Sequence, residues 1–588
     1  MIKRDDISNF FDYEAEAAKK SWEATMKLPM KDRIRNRKAI QNVFLDKEFR
    51  ELSSENHILL KVKVAVNLAD FKEGEGLILH KEKNDAIGFE CTLYEFEGED
   101  TIILDVFPPK MPSNIEEYYD RPLFLDKAHL DLRPWVYDPF VCSLPIHDED
   151  FWNTLLINNK PSPTLEDVDK CEVELDETLE TFKLKLLPNQ RDAVLNSMSA
   201  IDYYLIQGPP GTGKSFVLSL IIFEEIAYFH HKVIVIGPNH MAINNTLIQV
   251  LKQFPGYSSF LIKVGQLYHA PKLKVEFKGE DCQIFNALFI MQNFIPKFNK
   301  DEEGWIVGLT PHSLYSSRAR GLKCDTLIID EAGQMTTPLA LMGIVKAKKV
   351  ILAGDHKQLP PIITSEEVPD YMKKSAFEAL MTDSNYTLLD TSFRMCEPLC
   401  EFVSDIFYEG KVKAYKQGCG DLVICSDPLY SFDKPVVIHQ VDDNGMQASD
   451  KEAEFIVDTI VEFLKKGVPS NEIAVLAPFR AQAATVRRGI RKREDISDED
   501  KKNLVADTVD KMQGQEREVI IYSFTAGDPD YITEMADFLY KPNKMNVAFS
   551  RAKSKLVIVG NMERIKEVAG GEYPHLIDML NHRNVTMV

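Results

Sequence analysis

The sequence predicts an α/β protein: two tandem parallel-sheet domains preceded by a helical segment and a small antiparallel β-barrel. Three observations carry this reading. After residue 180, short apolar runs alternate with loops and helix-length stretches, the grammar of parallel sheets. Across residues 57–106, short strands alternate apolar and polar positions between Gly and Asp/Asn turns, as small barrels do. Finally, the apolar run 203–206 leads into a glycine-rich loop that opens a mostly apolar helix over residues 216–229.

In order along the chain, residues 1–50 read as charge-rich helices. The basic run Lys31-Asp32-Arg33-Ile34-Arg35-Asn36-Arg37-Lys38 reads as a solvated helix face. Strands over 58–64, 76–79, 89–96 and 101–106 supply the barrel. Residues 107–180 are acidic and punctuated by proline, a connecting region with a helix over 165–179. The first parallel set is 203–206, 232–236, 305–309, 326–329 and 349–353; the second is 436–440, 472–477, 518–523 and 555–559. Domain boundaries are expected at 1–180, 181–385 and 386–588.

Bulk properties narrow the class. A chain of 588 residues with 44% hydrophobic and 27% charged content has ample length for several cores. The first 20 residues are polar and acidic, unlike a signal peptide. No run approaches the ~20 apolar residues of a spanning helix, because Glu224-Glu225 interrupts the best candidate; no membrane partner is expected. Nine cysteines at irregular spacing suit a reducing cytosol, so a cytoplasmic protein is expected. The net charge of −21 argues against non-specific coating of nucleic acid. It leaves room for a local basic groove, since screening confines each charge to about 10 Å.

The loop Gly208-Pro209-Pro210-Gly211-Thr212-Gly213-Lys214-Ser215 fits G-x-x-x-x-G-K-[ST] in its proper strand–loop–helix context. Its glycines let backbone N–H groups close around phosphate oxygens, and the new helix aims its positive end at the same anion. Lys214 adds a charge for the β- and γ-phosphates, and the Ser215 hydroxyl is a hard ligand for Mg²⁺. The chain is expected to bind a nucleoside triphosphate. Asp330-Glu331 ends the apolar strand 326–329, where one carboxylate can hold Mg²⁺ and the next can orient or deprotonate the attacking water. The next strand ends in Gly354-Asp355-His356-Lys357-Gln358, where Gln358 can sense a γ-phosphate and His356 reads as an ordinary surface histidine.

The order GPPGTGKS, DEAGQ, GDHKQLPP resembles the superfamily 1 helicases. Ser392-Phe393-Arg394-Met395, Thr508-Val509-Asp510-Lys511-Met512-Gln513-Gly514-Gln515-Glu516 and Asn546-Val547-Ala548-Phe549-Ser550-Arg551-Ala552-Lys553 extend the match over roughly residues 185–562. These forms are similar to the 1B branch, which includes the nonsense-mediated-decay and immunoglobulin-mu-binding-protein helicases. The resemblance implies two RecA-like domains closing on ATP, behind a helical stalk and barrel. It implies that Gln190 reads the adenine edge, Phe393 stacks on the base where the family usually has Tyr, and Glu516 lies near the sugar. Arg394 and Arg551 match the arginines that reach the γ-phosphate. Pro238, Asn239, Ala242, Thr310, Pro478, Phe479, Gln482 and Thr508 match strand-contacting positions. Pro238-Asn239-His240 replaces the more usual Pro-Ser-Asn, and Ser550 replaces Thr.

The implied activity is an ATP-dependent, Mg²⁺-requiring helicase and translocase, a monomeric motor travelling 5′→3′ on single-stranded nucleic acid. A nucleotide-gated clamp without unwinding is the alternative, and DNA and RNA both remain open. The basic cluster Arg487-Arg488-Gly489-Ile490-Arg491-Lys492-Arg493 fits phosphate binding and a solvated helix end equally.

Overall fold

Two helices open the chain, α1 (Arg4–Lys27) and α2 (Met30–Arg35). The computed structural model describes every residue except 1–2, 53–56, 65–70, 72–74, 82–87, 98–99, 146–162, 265–273, 278–279, 288–303, 317–318, 320, 419–422, 424, 513 and 569–571. Helix α1 carries Asp5 and Asp6 in its first turn and Lys27 in its last, complementing the helix dipole. Its buried face is Ile7, Phe10 and Phe11, at i, i+3 and i+4.

Strands β1 (Ala39–Leu52), β2 (Ile58–Val64), β3 (Gly76–His80), β4 (Gly88–Phe96), β5 (Thr101–Val106) and β6 (Leu123–Lys127) close a barrel in the order β1-β2-β5-β4-β3-β6. Every pairing in it is antiparallel. Two strands differ from expectation. Residues 39–52 form a strand rather than a helix, and β6 lies inside the region read as a connector. In β1 the apolar alternation is broken by a register shift between Gln41 and Val43, and its second half is charged, which hides the strand period.

Arg33 corrects the reading of the basic run as a solvated face. It is fully buried, with Nη1 2.8 Å from Asp126 Oδ2, and His80 Nε2 lies 2.7 Å from the same oxygen. A charge at that depth needs its partner. The cluster therefore pins α2 to β3 and β6.

The first parallel sheet contains β7 (Tyr203–Gln207), β8 (Lys232–Ile236) and β9 (Leu261–Val264). A hairpin of β10 (Lys274–Phe277) and β11 (Glu280–Gln283) intervenes. Then come β12 (Phe285–Ala287), β13 (Trp305–Gly308), β14 (Thr326–Ile329), β15 (Lys349–Gly354) and β16 (Tyr386–Leu388). Its order is β12-β9-β13-β8-β14-β15-β7-β16, all parallel. Strand β16 carries this sheet past the boundary expected at residue 385. A short parallel pair, β17 (Thr391–Cys396) and β18 (Lys413–Lys416), follows. The second parallel sheet holds β19 (Val436–Gln440), β20 (Ile473–Ala477), β21 (Val505–Thr508), β22 (Arg517–Ser523), β23 (Ala552–Gly560) and β24 (Val585–Met587). It is parallel in the order β21-β20-β22-β23-β19-β24.

Strands such as β14 and β20 are buried along their whole length, because helices cover both faces of each sheet. That burial explains why these strands read as unbroken apolar runs. Loops at the carboxyl ends of parallel strands carry the sites in such sheets. Here they bring the two parallel sheets together.

A candidate nucleotide cleft between two parallel sheets

The loop after β7 turns through Gly211 (φ +76°) and Gly213 (φ +82°) before the helix Lys214–Ala227 begins. A Cβ on Gly211 would sit 2.5 Å from Arg394 Cβ and 2.8 Å from Ser392 Oγ, both from β17. The same approach is hydrogen-bonded: Phe393 N donates to the Gly211 carbonyl (2.8 Å), and Ser392 Oγ to the Pro210 carbonyl (2.9 Å). Thus β17 lies against the loop that the sequence marks for phosphate.

Lys214 Nζ donates to Glu331 Oε1 (2.7 Å) and lies 2.9 Å from Asp330 Oδ1. Burial works against this ammonium, but the two carboxylates together hold its pKa above the ordinary lysine value. Asp330 is buried at the end of β14. Its Oδ1 accepts from Glu331 N (2.8 Å) and its Oδ2 from Thr246 Oγ1 (2.6 Å). Glu331 adopts φ +55°, an uncommon conformation for a side chain of this size, and Gln334 Nε2 steadies its second oxygen (2.8 Å).

From β17, Arg394 Nε donates to Glu516 Oε2 (2.6 Å) and Nη1 to the Ser550 carbonyl (2.9 Å). Arg551 is 3% exposed, with Nε on the Val547 carbonyl (2.9 Å) and Nη2 3.5 Å from Gln358 Oε1. Burial, and next the Arg394 charge, push its pKa down to about 9. Burial opposes the Glu516 charge, yet Arg394 holds that carboxyl below its usual range. Together with the P-loop, Asp330, Glu331, Gln358, Arg394 and Arg551 line one cleft of about 340 Å³.

Other expected residues take varied places. Gln190 is buried; its Oε1 accepts from Leu187 N and its Nε2 donates to the Thr212 carbonyl (3.0 Å), so it braces the phosphate loop. Phe393 is half-buried and pairs with Tyr415, ring centroids 4.8 Å apart, an aromatic neighbour the sequence reading missed. His356 is half-buried and stacked on Phe377 rather than free at the surface, and burial lowers its pKa.

Asn239 is exposed and caps the helix His240–Gln253 by accepting from Ala242 N. Ala242 lines the nucleotide cleft instead of the strand edge. Pro238 and Thr310 follow the paired strands β8 and β13; Pro478 follows β20, whose partner β21 ends in Thr508. Phe479 and Thr508 are mostly buried, at 8% and 7% exposure. Gln482 departs furthest from the strand-contacting reading. It is fully buried, its amide engaged by Ser449 N (2.8 Å), the Ser449 carbonyl (3.3 Å) and Ser523 Oγ (3.0 Å). A side chain so placed orders the strand end and offers nothing to a ligand. In the basic cluster, Arg487 bonds the Ala506 carbonyl and Arg493 pairs with Asp458 and Asp495, while Arg488, Arg491 and Lys492 are exposed.

Comparison with known proteins agrees with this geometry. AAA-domain family models match residues 185–278 with 302–366, and residues 372–563. The chain is 26% identical over 485 residues to an uncharacterized ATP-dependent helicase of Methanocaldococcus jannaschii, covering 67% of this chain and 70% of that protein. It is 26% identical over 488 residues to the DNA polymerase alpha-associated DNA helicase A of Schizosaccharomyces pombe, covering 71% and 70%. Against regulator of nonsense transcripts 1 of Dictyostelium discoideum it is 27% identical over 421 residues, covering 65% of this chain and 31% of that protein. With its P-loop, its DEAGQ strand end and two parallel sheets facing one cleft, this chain belongs to the superfamily 1 helicases, in the 1B branch that resembles the nonsense-mediated-decay helicase, and is an ATP-dependent nucleic-acid helicase.

Proposed function

We propose that the chain is a monomeric, cytoplasmic motor that travels 5′→3′ along single-stranded nucleic acid by hydrolysing ATP in the cleft just described. One observation carries the reading: Lys214, Asp330 and Glu331 at the first sheet face Arg394 on β17 and Arg551 immediately before β23 across a single cavity. The triphosphate enters as a polyanion and draws Lys214 from its two carboxylates. Glu331 then has an oxygen free to take the proton of the attacking water. Asp330 and Ser215, hard oxygen donors lining the same cleft, fit Mg²⁺ and would hold it there. The ion would neutralise phosphate charge. Arg394 and Arg551 stabilise the charge that develops on the transferring phosphoryl group. Gln190 braces the loop beneath the base, and the Phe393–Tyr415 pair offers it an aromatic surface.

Pro238, Asn239 and Thr310, after β8 and β13, and Pro478, Phe479 and Thr508, at the ends of β20 and β21, are the residues we assign to phosphate and sugar contacts, which would give weak sequence preference. The test is ATP turnover with matched single-stranded DNA and RNA oligomers, followed by unwinding of duplexes tailed at either end. Stimulated turnover with displacement of the 5′-tailed duplex is the expected result, and the better oligomer identifies the sugar. Displacement from 3′ tails alone overturns the direction; stimulation without any displacement leaves a nucleotide-gated clamp.

A further inference from the structure

Behind the nucleotide cleft lies a buried polar cluster that shares Gln358 with the cleft and is centred on Asp355 and Tyr408, which none of the catalytic assignments uses. Asp355, 3% exposed, accepts from four donors: Tyr408 Oη (2.6 Å) and Gln358 Nε2 (2.8 Å) on Oδ2, Gln207 Nε2 (3.3 Å) and Lys357 N (3.1 Å) on Oδ1. Four donors fill what a carboxylate can accept. Gln207 is the last residue of the strand that enters the phosphate loop, and Tyr408 follows the helix Glu397–Phe407 of the second unit. The carboxylate therefore ties the base of the P-loop, the Gln358 loop and the second unit to one point.

The second unit also grips the loop backbone. Asn546 Nδ2 donates to Tyr408 Oη and to the Lys357 carbonyl, both at 2.8 Å. Asn543 Nδ2 donates to the His356 carbonyl (3.0 Å) and the Gln358 carbonyl (2.5 Å). The two asparagines stand three residues apart on the helix Pro542–Phe549, hence on one face, and so hold three successive carbonyls. That helix runs directly into Ser550 and Arg551.

We propose that Tyr408, Asn543 and Asn546 form a latch that makes the Gln358 loop and the helix leading to Arg551 move as one body. They are positioning residues and touch no reactant. The proposal rests on the assignment of Gln358 and Arg551 to the γ-phosphate, and adds how that contact reaches the second sheet. When Gln358 shifts with the nucleotide, the carbonyls at 356–358 shift with it, and the asparagines carry the displacement into the second unit. Burial, together with Asp355, holds the Tyr408 phenol well above its ordinary pKa, so it stays a donor across the working pH range.

The test compares wild type with Tyr408→Phe and Asn543→Ala. Each is assayed for stimulated ATP turnover and for affinity to fluorescent single-stranded DNA and RNA oligomers, with ADP–aluminium fluoride and without nucleotide. The ratio of the two affinities measures coupling between the sites. Tyr408→Phe is expected to leave the KM for ATP within about threefold, to lower stimulated kcat about tenfold, and to bring the affinity ratio toward one. Asn543→Ala should move both readouts the same way by less, and the double variant should be non-additive. A side chain that merely satisfied buried groups would lower the unfolding temperature and leave the ratio unchanged. If Tyr408→Phe does not fold, Asn543→Ala decides alone. Folded variants that keep the ratio and kcat within about twofold of wild type overturn the latch. A wild-type protein without stimulated turnover overturns the motor reading instead.

Discussion

The two walls of the cleft hold their charges in opposite ways. On the first, Lys214 faces Asp330 and Glu331 at hydrogen-bonding distance, one positive charge held between two negative ones. On the second, Arg551 is buried more deeply and meets carbonyl and amide oxygens, with Arg394 the largest charge acting on it, ahead of Glu331 and Glu516. Arg394 has a carboxylate of its own in Glu516; among the described residues no ion pair compensates Arg551. The first wall is stable by itself. On the reading proposed above, the second wall is completed by the triphosphate.

The sharpest way to break this comparison is Arg551→Ala. If the second wall serves the transition state, turnover falls by about 10³–10⁵ while ATP binding stays within about tenfold. Arg394→Ala should follow the same direction, and the double variant should fall far short of additivity because both act on one charge. Loss of only a few-fold in stimulated turnover would mean that the first wall does the chemistry alone. Glu331→Gln tests the first wall: the amide keeps the shape but accepts no proton, so turnover should drop by about 10²–10⁴ with nucleotide binding retained. Near wild-type turnover would remove Glu331 from its role. The smallest effect is on stability without nucleotide. Lys214→Ala leaves two adjacent carboxylates facing each other and should cost about 3 kcal/mol in denaturant unfolding. Arg551→Ala removes an uncompensated buried charge and should cost nothing or stabilise. Equal losses for both would show that the two walls are alike.

The strands that carry the cleft were legible because both faces of each sheet are covered. Residues 326–329 form an unbroken apolar run, and the acids that follow stand out against it. Phosphate chemistry was legible for a related reason, since P-loop residues act through backbone and spacing within eight positions. The latch was not legible. Tyr408 meets Asp355 across 53 positions and Asn546 across 138, and neither residue type signals such a partner. Gln482 was misread in the same way: a buried amide and a strand-facing amide have the same sequence, and only Ser449 and Ser523 distinguish them. Strand β1 was lost because its charged second half matches the helical stretch before it.

Helix α1 has a consequence for how this chain can be divided. Ile7, Phe10 and Phe11, with Val136, Phe140 and Leu144, belong to the same hydrophobic cluster as Leu327, Ile329 and Leu352 of the first motor sheet. Phe11 also stacks on Tyr137, whose hydroxyl lies 3.1 Å from His312 Nε2, and Glu14 accepts from the backbone N–H groups of Thr364 and Ser365. Helix α1 and residues 132–144, both within the segment that the sequence places before the first parallel sheet, thus pack into that sheet's core, while the barrel keeps a cluster of its own. A fragment begun at residue 181 would lack these six apolar side chains and uncover the sheet-side surface they cover, losing burial worth roughly 1.5–3 kcal/mol for each. The natural seam of the molecule therefore does not run at the start of the nucleotide-binding domain: α1 and residues 132–144 go with the first sheet, and the barrel strands between them form a core of their own.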